Sequence, residues 1–123
     1  MASLAEKGVD PKVVDDQRGR LTFATEIARL IRTLVETRPS FGVYNLTSEG
    51  EVVPWADVAR RVFELAGHDP ARVTGVSTEQ YFASATSPVA PRPLNSVLDL
   101  TRVHGIGFRP RAGDDLLREY LSP

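Results

Sequence analysis

The chain has 123 residues, of which 41% are hydrophobic and 25% charged, and a formal net charge of -1, which fits one small domain that buries roughly two-thirds of its unfolded surface. The near-balanced charge excludes the basic field that nucleic acid or an anionic membrane surface would require. Cysteine is absent, which excludes disulfides, thiolate catalysis and sulfur-ligated metals.

Other protein classes are disfavoured by what the sequence lacks. No apolar stretch approaches the ~20 residues that cross a bilayer, and the first residues do not show the charged-then-apolar pattern of a signal peptide. Only His68 and His104 offer imidazole, and they stand far apart without a matching carboxylate spacing. We therefore expect a cytoplasmic protein of one domain, residues 1–123, with no metal, no membrane and no nucleic-acid partner.

The first elements in chain order lead into a polar segment. Residues 2–7 favour a short helix, and residues 12–15 favour a strand. The run Asp15-Asp16-Gln17-Arg18-Gly19-Arg20 then predicts a strand end followed by a loop. Because neighbouring strand residues point to opposite faces, Asp15 and Asp16 are not expected to share one ion or proton.

Three amphipathic helices are predicted from the spacing of apolar residues. The first begins after Thr25 as N-cap and ends before Pro39, the second runs from Pro54 to Gly67, and the third begins at Asp114. In the first helix, the residues predicted to be in the core are Ile27, Leu30, Ile31, Leu34 and Val35, and those predicted to face away are Glu26, Arg29, Arg32 and Glu36.

Short extended segments alternate with these helices and indicate an α/β architecture. We predict strands at residues 42–47, 72–76 and 96–99, and one helical turn at residues 78–82. Residues 83–93 contain three prolines and are predicted to form an extended loop.

Arg92 stands between two of these prolines, Pro91 and Pro93. The restricted backbone leaves a guanidinium little entropy to lose when it grips a diphosphate with two donors. The alternative is that Arg92 ties the loop to a nearby helix carboxylate such as Glu64 or Glu79.

Two segments of the sequence carry a family resemblance. Residues 13–28, VVDDQRGRLTFATEIA, resemble the VVDDQxGxPTxxxDLA stretch of dTDP-4-dehydrorhamnose reductases, which are extended short-chain dehydrogenases. Residues 90–99, APRPLNSVLD, resemble the PRPxNSxLD stretch of the same family. The chain departs from the family at Leu21, where proline is usual, and at Gly113, where many members have tryptophan.

The cofactor motifs of that family do not occur in this sequence. The only lysines are Lys7 and Lys12, and neither has a tyrosine four positions before it, so the catalytic Tyr-x-x-x-Lys pair is missing. The segment Gly105-Ile106-Gly107 is followed by Phe108, Arg109 and Pro110, and it predicts a turn after a short helix instead of a phosphate-binding loop.

The resemblance therefore implies a small C-terminal substrate-binding domain of an extended short-chain dehydrogenase, a fragment from which the Rossmann cofactor domain is absent. The parent would reduce dTDP-4-dehydro-L-rhamnose to dTDP-L-rhamnose with NADPH, while this chain binds no cofactor and is inactive alone. Its partners would be the dTDP-sugar, the missing N-terminal Rossmann domain and, for an exposed apolar face, a second copy in a homodimer. The substrate-binding residues implied are Gln17, Arg18, Arg20, Thr22, Arg92 and Asn95.

Two alternatives stay open at this point. The first is a non-catalytic, reductase-like module with a binding or regulatory role. The second is a related sugar-nucleotide epimerase or reductase that acts on another base or sugar.

Overall fold

The computed structural model of the protein describes residues 1–122. Within them, six helices and four short strands follow one another in an α/β arrangement, as the sequence predicts. In chain order these are α1 (Ala2–Glu6), β1 (Lys12–Val14), β2 (Arg18–Gly19), α2 (Ala24–Thr37), β3 (Val53–Pro54), α3 (Trp55–Leu65), β4 (Thr74–Val76), α4 (Thr78–Phe82), α5 (Thr101–Gly105) and α6 (Gly113–Leu121), with a 3-10 turn at Pro70–Arg72. None of the helices in the described part is long and apolar enough to cross a membrane.

The first of two compact units comprises Met1–Gly19 and Val52–Ser96, together with Leu121 and Ser122. In it, β1 pairs in parallel with β4, so that Val13 lies opposite Gly75. Helix α3 packs on this pair because its apolar residues recur at helical spacing and form one buried side. Burying Phe63 alone contributes about 1.5–3 kcal/mol. The core of this unit consists of Ala5, Ala59, Phe63 and Val73, with Val13 packed against them.

The second compact unit comprises Arg20–Glu51 and Val97–Tyr120. Its core lies between α2 and α5 and consists of Leu30, Leu100, Val103 and Phe108. Glu26 is also buried, with 1% of its surface exposed. Its carboxylate accepts hydrogen bonds from the Arg29 guanidinium at 2.5 and 2.7 Å and from the Arg111 backbone N–H at 3.0 Å. These three hydrogen bonds compensate for the hydration that the carboxylate loses on burial.

The structure confirms the three main helices, the first strand and the helical turn at residues 78–82. The predicted strands at residues 42–47 and 96–99 are wrong, because neither segment forms a strand in the described chain. Tyr44 and Leu46 bury their side chains against the core of the second unit from irregular backbone. In this segment, the alternation of apolar and polar residues therefore results from side-chain packing against the core, and the segment does not pair with a strand.

Two predictions about α2 are also wrong. The residue that precedes the helix is Phe23, which makes no side-chain capping bond, so Thr25 is not the N-cap. Glu26, predicted to face solvent, is buried, whereas Ile27, Ile31 and Val35, predicted to be in the core, are 43%, 55% and 68% exposed. The apolar side chains of α2 are spread over a wider part of the helix surface than the part that packs against the core of this unit.

Candidate functional site

The two segments that carry the family resemblance meet in the first unit. The Arg18 N–H donates to the Leu94 carbonyl at 2.8 Å, and the Ser96 N–H and hydroxyl both donate to the Arg18 carbonyl, at 2.9 and 3.1 Å. A Cβ at Gly19 would lie 2.5 Å from the Ser96 Oγ, so glycine permits this close approach. Residues 78 positions apart in the sequence are thus joined through their backbones.

Thr78, the first residue of α4, holds the other end of the first segment. Its hydroxyl donates to Asp16 Oδ1 at 2.6 Å, and its N–H donates to Asp16 Oδ2 at 2.8 Å. The Thr78 hydroxyl also accepts a bond from Gln17 Nε2 at 2.8 Å. The bond from the Thr78 hydroxyl, followed by that from its N–H, stabilises the ionised carboxylate and lowers the pKa of Asp16.

A surface pocket of about 200 Å³ lies beside this network. It brings Gln17 and Arg92, two of the predicted ligands, to one place. Gln17 is buried, with 6% of its surface exposed, whereas Arg92 is exposed on the proline-rich loop. The lining residues are Met1, Lys12, Val13, Val14, Gln17, Tyr81, Phe82 and Arg92.

The cations that line this pocket are Lys12 and Arg92. Within residues 1–122, neither Lys12 nor Arg92 makes an ion pair or a side-chain hydrogen bond. Of the two carboxylates considered as partners of Arg92, Glu64 pairs instead with Arg61 at 2.5 Å. The loop therefore offers a free guanidinium, the group best suited to a phosphate.

Two further predicted ligands, Arg18 and Asn95, lie opposite each other in a parallel β-bridge of the same unit. The Arg18 guanidinium donates to the Val52 carbonyl at 3.2 Å. Neither residue lines the pocket that holds Gln17 and Arg92. The bridge aligns the two segments, which is a structural role for the backbone of both residues.

Arg20 and Thr22 belong to the second unit. The Thr22 hydroxyl donates to Thr47 Oγ1 at 3.1 Å, and the Arg20 Nε donates to the Gly50 carbonyl at 3.0 Å. A pocket of about 450 Å³ in this unit is lined by Arg20, Glu49, Gly50, Asp99, Leu100, Thr101 and His104.

The polar lining of this second pocket is largely paired. His104 Nε2 lies 2.7 Å from Glu49 Oε1, but the orientation of the two groups does not form a hydrogen bond. Asp99 accepts the Thr101 N–H at 2.7 Å, and hydrogen bonds from Thr101 lower the pKa of the Asp99 carboxyl.

Sequence reasoning missed Lys12 and Tyr81 as lining residues of the first pocket, and Thr78 as the residue that bonds Asp16 and Gln17 beside it. The available signal was Ser77-x-x-Gln80, a capping box that fixes where α4 begins and therefore where Tyr81 lies. Nothing in the local sequence links Thr78 to Asp16, which lies 62 positions earlier.

The glycine pair near the C-terminus forms the turn that the sequence predicts. Gly107 has a φ of 81°, its N–H donates to the His104 carbonyl at 2.9 Å, and the next residue, Phe108, enters the core. These contacts close the end of α5 and leave no cradle of free N–H groups for a pyrophosphate. Among the residues that the structure describes, no three metal-ligating side chains are grouped.

Comparison with known proteins shows which family this chain resembles. The model of the RmlD substrate binding domain matches residues 1–123. The chain is 33% identical over 122 residues to the spore coat polysaccharide biosynthesis protein SpsK of Bacillus subtilis, covering 99% of this chain and 40% of SpsK. It is 35% identical over 103 residues to a dTDP-4-dehydrorhamnose reductase of Streptomyces griseus, covering 80% of this chain and 32% of that protein.

Solved structures show the same fold. A dTDP-4-dehydrorhamnose reductase of Clostridium acetobutylicum superposes with a TM-score of 0.82 at 28% identity, covering 98% of this chain and 42% of that one. A reductase of the same name from Bacillus anthracis, in complex with NADP, gives a TM-score of 0.80 at 24% identity, covering 97% of this chain and 40% of that one, and shows the fold alone.

The chain thus spans about 40% of the length of relatives such as SpsK. Its sequence matches the substrate binding domain over residues 1–123, and its fold matches about 42% of the solved reductase from Clostridium acetobutylicum. The chain belongs to the RmlD substrate-binding domain family.

Proposed function

We propose that this chain is the sugar-nucleotide-binding part of a dTDP-4-dehydrorhamnose reductase and that Arg92 holds the diphosphate of the substrate. The observation that carries the proposal is the Arg92 guanidinium, which has no partner within residues 1–122 and shares a pocket with Lys12 and Gln17. Each charge-assisted hydrogen bond to a phosphate oxygen contributes on the order of 1.5–3 kcal/mol. The names of the relatives support a dTDP-sugar as the ligand.

Gln17 has a more limited role in this proposal. One of its amide hydrogens is used by Thr78, which leaves a second N–H and the carbonyl oxygen for a sugar hydroxyl or phosphate. Arg18, Arg20, Thr22 and Asn95 stay predicted ligands, each with a structural bond of its own.

The reduction itself requires a hydride donor, and the residues of this chain are not suited to bind one. The Gly105–Gly107 turn is closed by its own hydrogen bonds, and the sequence has no Tyr-x-x-x-Lys pair. NADPH, bound by the remainder of the parent, would supply the hydride. The residues described here would bind the substrate and orient it for that step.

The partner surface is the apolar side of α2. Ile27, Ile31 and Val35 recur every four residues and are all exposed. Such a stripe is typical of a surface that another part of a protein covers. We propose that the cofactor-binding part of the parent covers it, and that in the isolated chain a second copy does so.

Titration calorimetry of dTDP against the 123-residue chain tests the ligand role. Arg92→Ala is expected to weaken binding about ten-fold or more, and Arg92→Lys to restore it partly, because lysine keeps the charge but loses the planar fork. Arg32→Ala, which removes an exposed arginine paired with Glu36, is the matched control and should bind like the wild type. In the intact parent, Arg92→Ala should raise KM for the dTDP-sugar and leave KM for NADPH unchanged.

An Arg92→Ala chain that binds dTDP normally and only melts at a lower temperature would contradict the proposal. Arg92 would then be a structural arginine. Thermal melting of each variant, followed by circular dichroism, separates the two results.

A further inference from the structure

We infer that Tyr81, supported by Phe82, is the platform on which the nucleobase of the ligand stacks. This inference rests on the proposed function and extends it from the diphosphate to the base. Both rings line the pocket that contains Arg92 and Lys12. The ring of Tyr81 is half exposed, and its centroid lies 5.0 Å from that of Phe82 at an interplanar angle of 77°.

The ring pair has the chemistry that a flat heterocycle requires. An edge-to-face partner fixes one ring and leaves the other available, and an exposed aromatic face stacks on any nucleobase. In the same pocket, Lys12 and Arg92, which have no ion-pair partner within residues 1–122, offer positive charge. An aromatic surface beside free cations matches a ligand with a planar ring near one end and phosphates next to it.

The helix that carries Tyr81 is fixed before any ligand arrives. Ser77 accepts the Gln80 N–H at 3.2 Å, and Gln80 Oε1 accepts the Ser77 N–H at 3.2 Å, which forms a reciprocal cap. Thr78 then anchors the same turn to Asp16 and Gln17. Because α4 is held to the segment that lines the pocket, Tyr81 loses little conformational freedom on binding.

The size of the pocket limits the ligand. Its volume of about 200 Å³ lies below the roughly 300–1,000 Å³ of pockets that enclose a drug-sized ligand. It is therefore too small to enclose a whole nucleotide and can hold only part of one, with the rest of the ligand at the surface. Thr78 and Asp16 act as positioning residues, since they reach the ligand only through α4.

The test compares dTDP with inorganic pyrophosphate, which has the phosphates but no base. Tyr81→Leu is expected to weaken dTDP binding about ten-fold and to leave pyrophosphate binding unchanged, while Tyr81→Phe behaves like the wild type. Arg92→Ala should weaken both ligands. Tyr120→Leu, at a tyrosine that is 75% exposed in the second unit, is the matched control and should change neither.

A second readout is specific to stacking. Ring currents from Tyr81 should move the thymine methyl and H6 resonances of bound dTDP upfield in the wild-type chain, and this shift should disappear in Tyr81→Leu. A structural role for Tyr81 would lower both affinities together, and that result overturns the inference. Wild-type binding of dTDP no tighter than that of pyrophosphate overturns it as well.

The outcomes also separate this inference from the proposed function. If dTDP does not bind the wild-type chain, both are wrong. If dTDP binds, depends on Arg92 and is indifferent to Tyr81→Leu, only the base platform is wrong.

Discussion

Thr78 gives the two neighbouring carboxylates of the first segment different surroundings. Its hydroxyl and N–H both bond Asp16, which becomes the acceptor that anchors α4. The Asp15 carboxylate lies beside Gly75, where an added Cβ would come within 2.7 Å of Oδ2. The two side chains have different neighbours, but both residues lie in a bend after the end of β1, so strand alternation is not the cause.

The lowered pKa of Asp16 makes a prediction about stability and pH. In the folded chain the pKa lies below its ordinary value of 3.8, so the ionised form stabilises the fold. This contribution is fully present above the unfolded pKa and is lost as the pH falls through the folded pKa. The Tm difference between wild type and Asp16→Asn should thus be constant from about pH 5 to 8 and shrink below about pH 4.

Asp57→Asn serves as the control for this measurement, because Asp57 is exposed on α3 and pairs only with Arg60 across one helical turn. It should give a small Tm change. A Tm difference for Asp16→Asn that stays the same down to pH 3 would mean that the charge of Asp16 does not stabilise α4.

At the scale of elements, α2 has two apolar sides with different environments. Leu30 is buried and Leu34 packs beside it against the core of the second unit. Ile27, Ile31 and Val35 lie on another side and remain exposed. Phe41 and Val43, which follow the helix, are 102% and 77% exposed. The same unit thus has apolar surface that its own core does not use.

We predict that the isolated chain self-associates through this surface. Light scattering should show a mass above that of the monomer, and the change Ile31→Lys with Val35→Glu should shift the protein toward monomer. Because both positions are exposed, the Tm should change little.

Leu30→Ala is the contrasting variant on the same helix. It should reduce the free energy of unfolding by about 2–5 kcal/mol, because it leaves a cavity in the core of the second unit. A wild-type chain that stays monomeric at high concentration would refute the predicted self-association.

At the scale of the whole molecule, the chain belongs to the RmlD substrate-binding domain family, and its sequence has no Tyr-x-x-x-Lys pair. It spans about 40% of the length of SpsK and of the solved reductase from Bacillus anthracis. The two family segments are joined by the Arg18 backbone, and the pocket beside them presents cations and aromatic rings. These features support the proposed role in ligand binding.

We predict that the chain alone does not oxidise NADPH in the presence of dTDP-4-dehydro-L-rhamnose. Hydride transfer needs a positioned nicotinamide and a proton donor, and the sequence has no motif for either. Absorbance at the NADPH band should decay at the enzyme-free rate, while dTDP still binds in calorimetry. Turnover above that rate would show that the chain carries a catalytic group of its own.

The sequence by itself determined the family, the α/β class and the three main helices, because the residue order of a motif and the spacing of apolar residues in a helix are local properties. It also determined that Arg92 lies on a restricted loop, since flanking prolines set that loop's backbone. Predictions that depended on contacts with residues distant in the sequence were less reliable. The alternation in residues 42–47 suggested a strand, yet no strand in the described chain pairs with it.

Only the tertiary structure decided which groups remain available to a ligand. It placed Gln17 and Arg92 in one pocket and added Lys12 and Tyr81 to it, and no carboxylate of the described residues pairs with Arg92. It also buried Glu26 and exposed Ile31, the reverse of the expected faces. Burial and pairing depend on residues that are distant in sequence, such as Asp16 and Thr78, and local periodicity carries no information about which of them meet.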